Sequence, residues 1–200
     1  MDDWLNDVAT QGLSWYRPAG YDTYKSTVMM GSYARQSLFA PVGASGQSRV
    51  SWLISEQGDD WAEYDLSFSA YNSYVTIGSG VTVLTIDEDN AYWIDISRDN
   101  GRLIRIMNGV STVLATSASI ELPHKGARSY LVNVRQTGSG IEISVDADGN
   151  GSVDLTYTDT DSTAISTFTA GGIGIHDDTP SVYTRLQFDA FQVDVITFAP

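Results

Sequence analysis

Nine consecutive residues, Asp146-Ala147-Asp148-Gly149-Asn150-Gly151-Ser152-Val153-Asp154, crowd oxygen donors into one short stretch. Counting from Asp146, side-chain oxygens from Asp146, Asp148, Asn150 and Asp154 fall at loop positions 1, 3, 5 and 9, with Gly151 at 6 and Ser152 next to it. Calcium takes hard oxygen ligands, and a glycine at the sixth position permits the sharp turn such loops need. Asp146, Asp148, Asn150, Ser152 and Asp154 are therefore the candidate Ca²⁺ ligands. Position 12 is Tyr157 rather than a bidentate glutamate, and the flanks read as strands. The same residues also suit a plain hairpin tip, where Asp, Asn and Gly supply turn geometry. A second acidic pair, Asp159-Thr160-Asp161, offers another place for a cation.

Aromatic side chains make up 11% of the chain, with five Trp and eleven Tyr. Flat rings flanked by Asp, Asn or Arg can stack on sugars, and the same rings anchor protein interfaces. Tyr71, Asn72 and Tyr74 form one candidate ligand-binding stretch. Tyr92 and Trp93 are adjacent, so on a strand their rings take opposite faces. One of the two must therefore face away from the core or onto a concave sheet, and Trp93 is a further candidate ligand contact. Trp4, Trp15 and Tyr16 precede the regular part of the chain and are the candidate anchors for docking onto a protein partner.

Groups suited to catalysis are sparse. Glu63 and Asp65 alternate within an apolar-polar strand, and Asp87-Glu88-Asp89 sits where a turn is expected. A glycosidase needs two carboxylates converging on one bond, about 5–5.5 Å apart in retaining enzymes. The two histidines, His124 and His176, have no serine or cysteine partner at a recognisable spacing; His176, followed by Asp177-Asp178, is read as the start of a loop. No catalytic residue is assigned.

The elements that must position these groups have a period of two. Tyr64–Ser69, Arg102–Met107, Tyr130–Val134, Ile141–Val145, Ser152–Tyr157 and Phe188–Val195 alternate apolar and polar residues. Such alternation buries one face of an antiparallel strand and leaves the other in water. Gly, Asn, Asp and Ser punctuate the strands, with Asn100-Gly101 and Asn108-Gly109 predicting tight hairpins and Asp146–Gly151 a longer one. Helix is scarce: Asp2–Thr10 is the best amphipathic candidate, and Thr158–Phe168 can hold a turn or short helix. The prediction is all-β, a sandwich or barrel of about one domain, with an irregular N-terminal segment over 1–30 that wraps or docks and a single β-sandwich over 31–200.

Composition excludes several function classes. The net charge is −14, with 20 aspartates against only 11 Lys and Arg, so neither nucleic acid nor an anionic membrane surface is an expected partner. There is no cysteine, which removes disulfides and thiolate chemistry. No apolar run approaches the ~18 residues of a spanning helix. Met1-Asp2-Asp3-Trp4-Leu5 lacks the apolar core of a secretory signal.

From about Leu38 onward the order of motifs resembles the concanavalin A-like lectin/glucanase superfamily, and within it the laminin-G-like domains. Trp61-Ala62-Glu63-Tyr64-Asp65-Leu66-Ser67-Phe68 matches its W-x-x-Y-x-L-x-F strand. Asn90–Ile94, Asp99-Asn100-Gly101 and Leu103–Ile106 follow in the family's order, then Tyr130–Val134 and Val145-Asp146-Ala147-Asp148-Gly149. Gly171–Ile175 and Phe188-Asp189-Ala190-Phe191-Gln192-Val193 match the closing signature. The resemblance implies a jelly roll of two curved antiparallel sheets, and relatives often carry one calcium on a sheet rim. The E-x-D-x-x-E strand of the glucanases and the Q-[IV]-H strand of the lyases are absent from this sequence.

Two functions are expected on these grounds. One is a non-catalytic recognition or adhesion module that binds polysaccharide or a glycosylated surface. The other is a structural component of an assembly, such as a phage capsid-decoration or tail protein or a surface filament, with other protein subunits as partners. Either places the chain outside the cell or on a virion surface.

Overall fold

The structure, a computed structural model, describes residues 15–16, 29–30, 34–39, 49–55, 58–72, 78–97, 101–123, 126–179 and 185–196. The strands are β1 (Trp15–Tyr16), β2 (Met29–Met30), β3 (Ala34–Phe39), β4 (Arg49–Ser55), β5 (Tyr64–Asn72), β6 (Ser79–Asp87) and β7 (Asn90–Asp95). They continue with β8 (Arg102–Met107), β9 (Val110–Thr116), β10 (Ala127–Thr137), β11 (Gly140–Asp146), β12 (Leu155–Asp159), β13 (Gly172–Thr179) and β14 (Arg185–Val195). One α-helical turn, α1 (Ser162–Thr167), joins β12 to β13.

The strands form two seven-stranded antiparallel sheets, a jelly-roll sandwich. The first sheet runs β1-β4-β13-β6-β7-β8-β9 and the second β12-β11-β10-β5-β14-β3-β2. Alternation decides the packing. Tyr64, Leu66, Phe68 and Ala70 of β5 point inward, as do Tyr130, Val132 and Val134 of β10 and Ile141, Ile143 and Val145 of β11. They meet Val81, Val83, Tyr92, Ile94, Leu103, Ile173 and Ile175 from the first sheet. Phe68 stacks on Tyr130 with ring centroids 5.0 Å apart, and Phe188 and Phe191 close the same aromatic group.

One side chain ties the sheets together at an irregularity. Leu84 adopts φ +46° where the pairing of β6 with β13 and β7 shifts register. Its N–H donates to the hydroxyl of the fully buried Tyr64 at 2.7 Å, and that hydroxyl donates to the Gly172 carbonyl at 3.2 Å. Gly171 is required beside this bulge, because a Cβ there would lie 2.5 Å from the Leu84 carbonyl carbon.

Three expectations change. The segment over 1–30 is not wholly irregular: Trp15 and Tyr16 pair with Ser55 and Ile54, and Met29 and Met30 pair with Arg35 and Ala34. The strand after the acidic hairpin starts at Leu155 rather than Ser152, because Asp154 N–H already closes the loop on the Val145 carbonyl. His176 lies inside β13, paired with Trp52 and Gly80, rather than in a loop. Trp4, Tyr74, His124 and the Asp2–Thr10 stretch lie outside the described residues.

Candidate functional site

The acidic hairpin between β11 and β12 gathers three carboxylates. Oxygens of Asp146, Asp148 and Asp154 lie within 4.8 Å of one another. Backbone amides fold the loop around them. Asp146 accepts from the N–H groups of Asp148 (3.2 Å), Gly149 (2.8 Å) and Gly151 (2.7 Å), and Asp154 accepts from Ala147 N–H at 2.9 Å. Gly149 and Gly151 take φ +69° and +84°, the left-handed conformations this wrapping demands. Burial pushes the Asp146 carboxyl up, but the amide donors of Gly151, Asp148, Gly149 and Asn150 outweigh it and hold the group below its ordinary value. The Asn150 side-chain oxygen accepts from Ser152 N–H at 2.7 Å, and Asp148 accepts from Asn150 N–H at 3.1 Å. Ser152 contributes that N–H and is itself exposed. The donor set fits a hard divalent cation: Asp146 Oδ1 accepts two N–H groups, but Asp146 Oδ2 and Asp154 Oδ2 accept one each and retain a lone pair.

The second acidic pair already has its cation. Arg105, projecting inward from β8, pairs with Asp159 at 2.8 Å and Asp161 at 3.0 Å. Tyr92 donates its hydroxyl to Asp159 at 2.8 Å, and Asp161 caps α1 by accepting from Thr163 N–H. This network clamps the first sheet to β12, with Arg105 as the counter-charge to both carboxylates.

The outer faces of the two sheets differ in kind. On the first, Trp93 does point away from the main core, yet it is only 4% exposed. It packs with Ile54, Ala91, Ile104 and Ile106 in a second buried cluster and meets the His176 ring edge-on at 4.4 Å. Trp93 therefore offers no stacking face, which corrects its expected role as a ligand contact. Pleat alternation explains the direction of the ring, but burial of this second face is a tertiary fact. Asp95, on the same face, is fully buried; it accepts from Ser97 N–H and Oγ and pairs with Arg102.

The outer face of the second sheet is polar and partly open. Asp65, Asn133 and Ser144 lie directly opposite one another across β5, β10 and β11. Asn133 donates to Asp65 at 2.7 Å and accepts from Ser144, while Arg135 adds an ion pair to Asp65. Tyr71 occupies the same face at the end of β5, half-buried, and Asn72 ends the strand. These two therefore belong to a strand. Glu63 accepts from Gln136 N–H, and Asp87 accepts from Asp89 N–H and Asn90, so the acid pairs weighed for catalysis hold structure.

No family model matches the chain. No curated protein matches it either. Solved structures do. The VIP36 exoplasmic/lumenal domain, in a Ca²⁺/Man3GlcNAc-bound form, superposes with TM-score 0.60 over 98% of this chain and 89% of its own, at 9% identity. The fold is the concanavalin A-like jelly roll. A structure from work on endo-acting O-glycanases of the human gut microbiota matches this sandwich with TM-score 0.60, covering 92% of each chain at 12% identity. The carbohydrate-binding module CBM66 from Bacillus subtilis matches it with TM-score 0.51 over 74% of this chain and 84% of that one, at 14% identity. Concanavalin A-like sandwiches host both binding and chemistry, so fold alone does not assign function.

The residues missed from sequence are Arg105 and Tyr92 as partners of Asp159, and the Tyr64 hydroxyl at the Leu84 bulge. Their partners lie 54, 67 and 20 residues away in sequence, beyond any local signal.

Proposed function

We propose that the chain is a non-catalytic recognition module that binds polysaccharide or a glycosylated surface. The observation that carries this reading is the concanavalin A-like sandwich, shared over nearly the whole chain with a domain solved on Man3GlcNAc and over most of it with a carbohydrate-binding module. The polar outer face of the second sheet supports it, because Tyr71 supplies a ring on the face that also carries the hydrogen-bonded Ser69 and Ser129, a mixture of ring and polar side chains that sugar sites use. We assign contacts to Tyr71, Asn72 and Tyr74. The buried carboxylates support binding over catalysis: Asp95 and Asp159 are held by arginines, and a general acid must reach its substrate. Calcium belongs to the same reading. Asp146, Asp148 and Asp154 would hold the ion, which would neutralise their mutual repulsion at the sheet rim.

Affinity electrophoresis and a glycan array test the proposal. Binding to at least one polysaccharide, lost in Tyr71→Ala without loss of fold, is the expected result. No retention on any polysaccharide at millimolar sugar would overturn it.

A further inference from the structure

We propose that the acidic hairpin is a self-modification site: Asn150 and Gly151 close to a succinimide, with Asp146 as proton acceptor, and reopen as aspartate or isoaspartate. The proposal is independent of the glycan and calcium readings. The chemistry needs a side-chain amide, the next backbone nitrogen and water. The Gly151 nitrogen attacks Asn150 Cγ and forms the N–Cγ bond. The Cγ–Nδ2 bond breaks, and the Gly151 amide proton departs with Nδ2 as ammonia. Water adding at Cγ then gives aspartate; adding at the Asn150 main-chain carbonyl carbon, it gives isoaspartate. Nothing is oxidised or reduced.

Hydrogen bonds place each reacting atom. Ser152 N–H donates to Asn150 Oδ1 at 2.7 Å. The ring closed by that bond contains both Asn150 Cγ and the Gly151 nitrogen, so the side chain is folded back over the nitrogen that attacks it. The same N–H faces the oxygen on which negative charge develops during attack. Gly151 N–H donates to Asp146 Oδ2 at 2.7 Å, so a carboxylate is in place to take the proton as the new bond forms. Asn150 N–H donates to Asp148 at 3.1 Å, which holds the residue's own backbone. Gly151 takes φ +84°, and nothing lies within 4 Å of where a Cβ would stand. Asn150 and Gly151 are both exposed, so water reaches the imide.

Asn108 and Gly109 are the built-in comparison. This second Asn-Gly pair is also exposed and also sits at a hairpin turn, with φ +51° and +73°. Its Gly109 N–H, however, donates to the Asp89 main-chain carbonyl at 3.0 Å, an oxygen too weakly basic to take the proton. The dipeptide is the same and the acceptor differs. Reaction at Asn150 also changes the hairpin. The imide nitrogen has no hydrogen, so Asp146 loses its Gly151 donor, and isoaspartate lengthens the loop backbone by one methylene. Each converted chain gains a carboxylate at a tip that already gathers Asp146, Asp148 and Asp154.

Peptide mapping by mass spectrometry tests this on the full chain, incubated at neutral pH with EDTA so that no cation competes for Asp146. Conversion at Asn150 and Asn108 is followed in the folded protein and in the same protein unfolded in urea. Folded Asn150 should convert roughly tenfold faster than in urea, short of the hundredfold of a well-matched general base because a carboxylate is a weak one. Asn108 should convert no faster folded than unfolded. Asp146→Asn and Ser152→Pro should each bring Asn150 down to its urea rate and leave Asn108 unmoved. The comparison of folded with unfolded chain needs no variant, so it carries the test alone if either substitution loosens the hairpin. Folded Asn150 converting at its urea rate or slower overturns the proposal. So does conversion at Asn150 that continues undiminished in Asp146→Asn.

Discussion

Replacing Tyr64 by Phe removes one oxygen atom from the middle of the sandwich and should cost far more than its size suggests. The hydroxyl is fully buried and serves two groups at once, accepting from Leu84 N–H and donating to Gly172 C=O. Burial pushes this phenol well above its ordinary pKa, although the Leu84 N–H opposes the shift, so the group is a neutral donor at any working pH. Phenylalanine fits the same space, so no cavity term enters. What remains is a buried Leu84 N–H with no acceptor, at a bulge where neither neighbouring strand can supply one. An unsatisfied buried donor costs about 1–3 kcal/mol, and the relief of no longer burying a hydroxyl offsets a part of it. The expected net loss is about 2 kcal/mol, or about 4–8 °C in Tm for a domain of this size. Tyr130→Phe is the internal comparison. Its hydroxyl donates to Ile120 C=O and lies beside the Arg128 guanidinium, which keeps the Ser119 and Glu121 carbonyls as acceptors, so about 1 kcal/mol is expected. Urea denaturation followed by fluorescence, with slopes compared, measures both. A Tyr64→Phe protein within about 0.5 kcal/mol of wild type, or no worse than Tyr130→Phe, would refute the bulge argument.

Arg105→Met should cost about 3–5 kcal/mol by denaturant unfolding, because it leaves the Asp159 carboxylate buried without its cation; adding Asp159→Asn should restore part of the loss, and an additive double variant would dismiss the clamp. Asp146 is held below the ordinary carboxylate value in the folded chain, so the unfolded chain takes up the proton first as pH falls. Its contribution is present above about pH 4 and is lost below it, and Asp146→Asn should flatten that acid limb in a urea series between pH 2 and 7. Calcium at 100 times its dissociation constant should stabilise by about 2.7 kcal/mol, with affinity on the order of 10⁻⁴ to 10⁻³ M for a loop lacking a bidentate glutamate. A Tm indifferent to both EDTA and excess calcium, or a rise that persists in Asp148→Ala, would reduce the hairpin to a turn.

The strands that read clearly in the sequence are those with one wet face. β5, β10 and β11 alternate because their outer residues, such as Asp65, Asn133 and Ser144, remain partly exposed. β6 gives a poorer signal, since Ser79–Thr85 are buried on both faces and polar Thr82 and Thr85 satisfy one another at 2.8 Å. The same double burial misplaced Trp93. Adjacency to Tyr92 tells only that the two rings take opposite faces, whereas nothing local tells which ring meets the main core or that the second face is covered. At the acidic hairpin, spacing identified the converging carboxylates, because a loop of nine residues folds on its own amides. Asp159 and Asp161 read as a second cation site in sequence; only the arrival of Arg105 from another strand shows that both carboxylates already have a counter-charge.

The strand order also constrains how the chain can be made. β13 lies between β4 and β6, and β14 lies between β3 and β5, so each sheet is split until its latest strand is inserted. As the chain leaves the ribosome, β7, β8 and β9 can zip locally while β3, β4, β5 and β6 wait with unpaired borders. Roughly the first 170 residues must therefore persist as two open half-sheets whose apolar interiors are unsealed. Loop-closure entropy makes such distant pairings slow, and unpaired borders invite intermolecular pairing during the delay. Yield during synthesis should thus depend on how quickly residues 172–195 follow, and a ribosome pause just before them is where misassembly would begin.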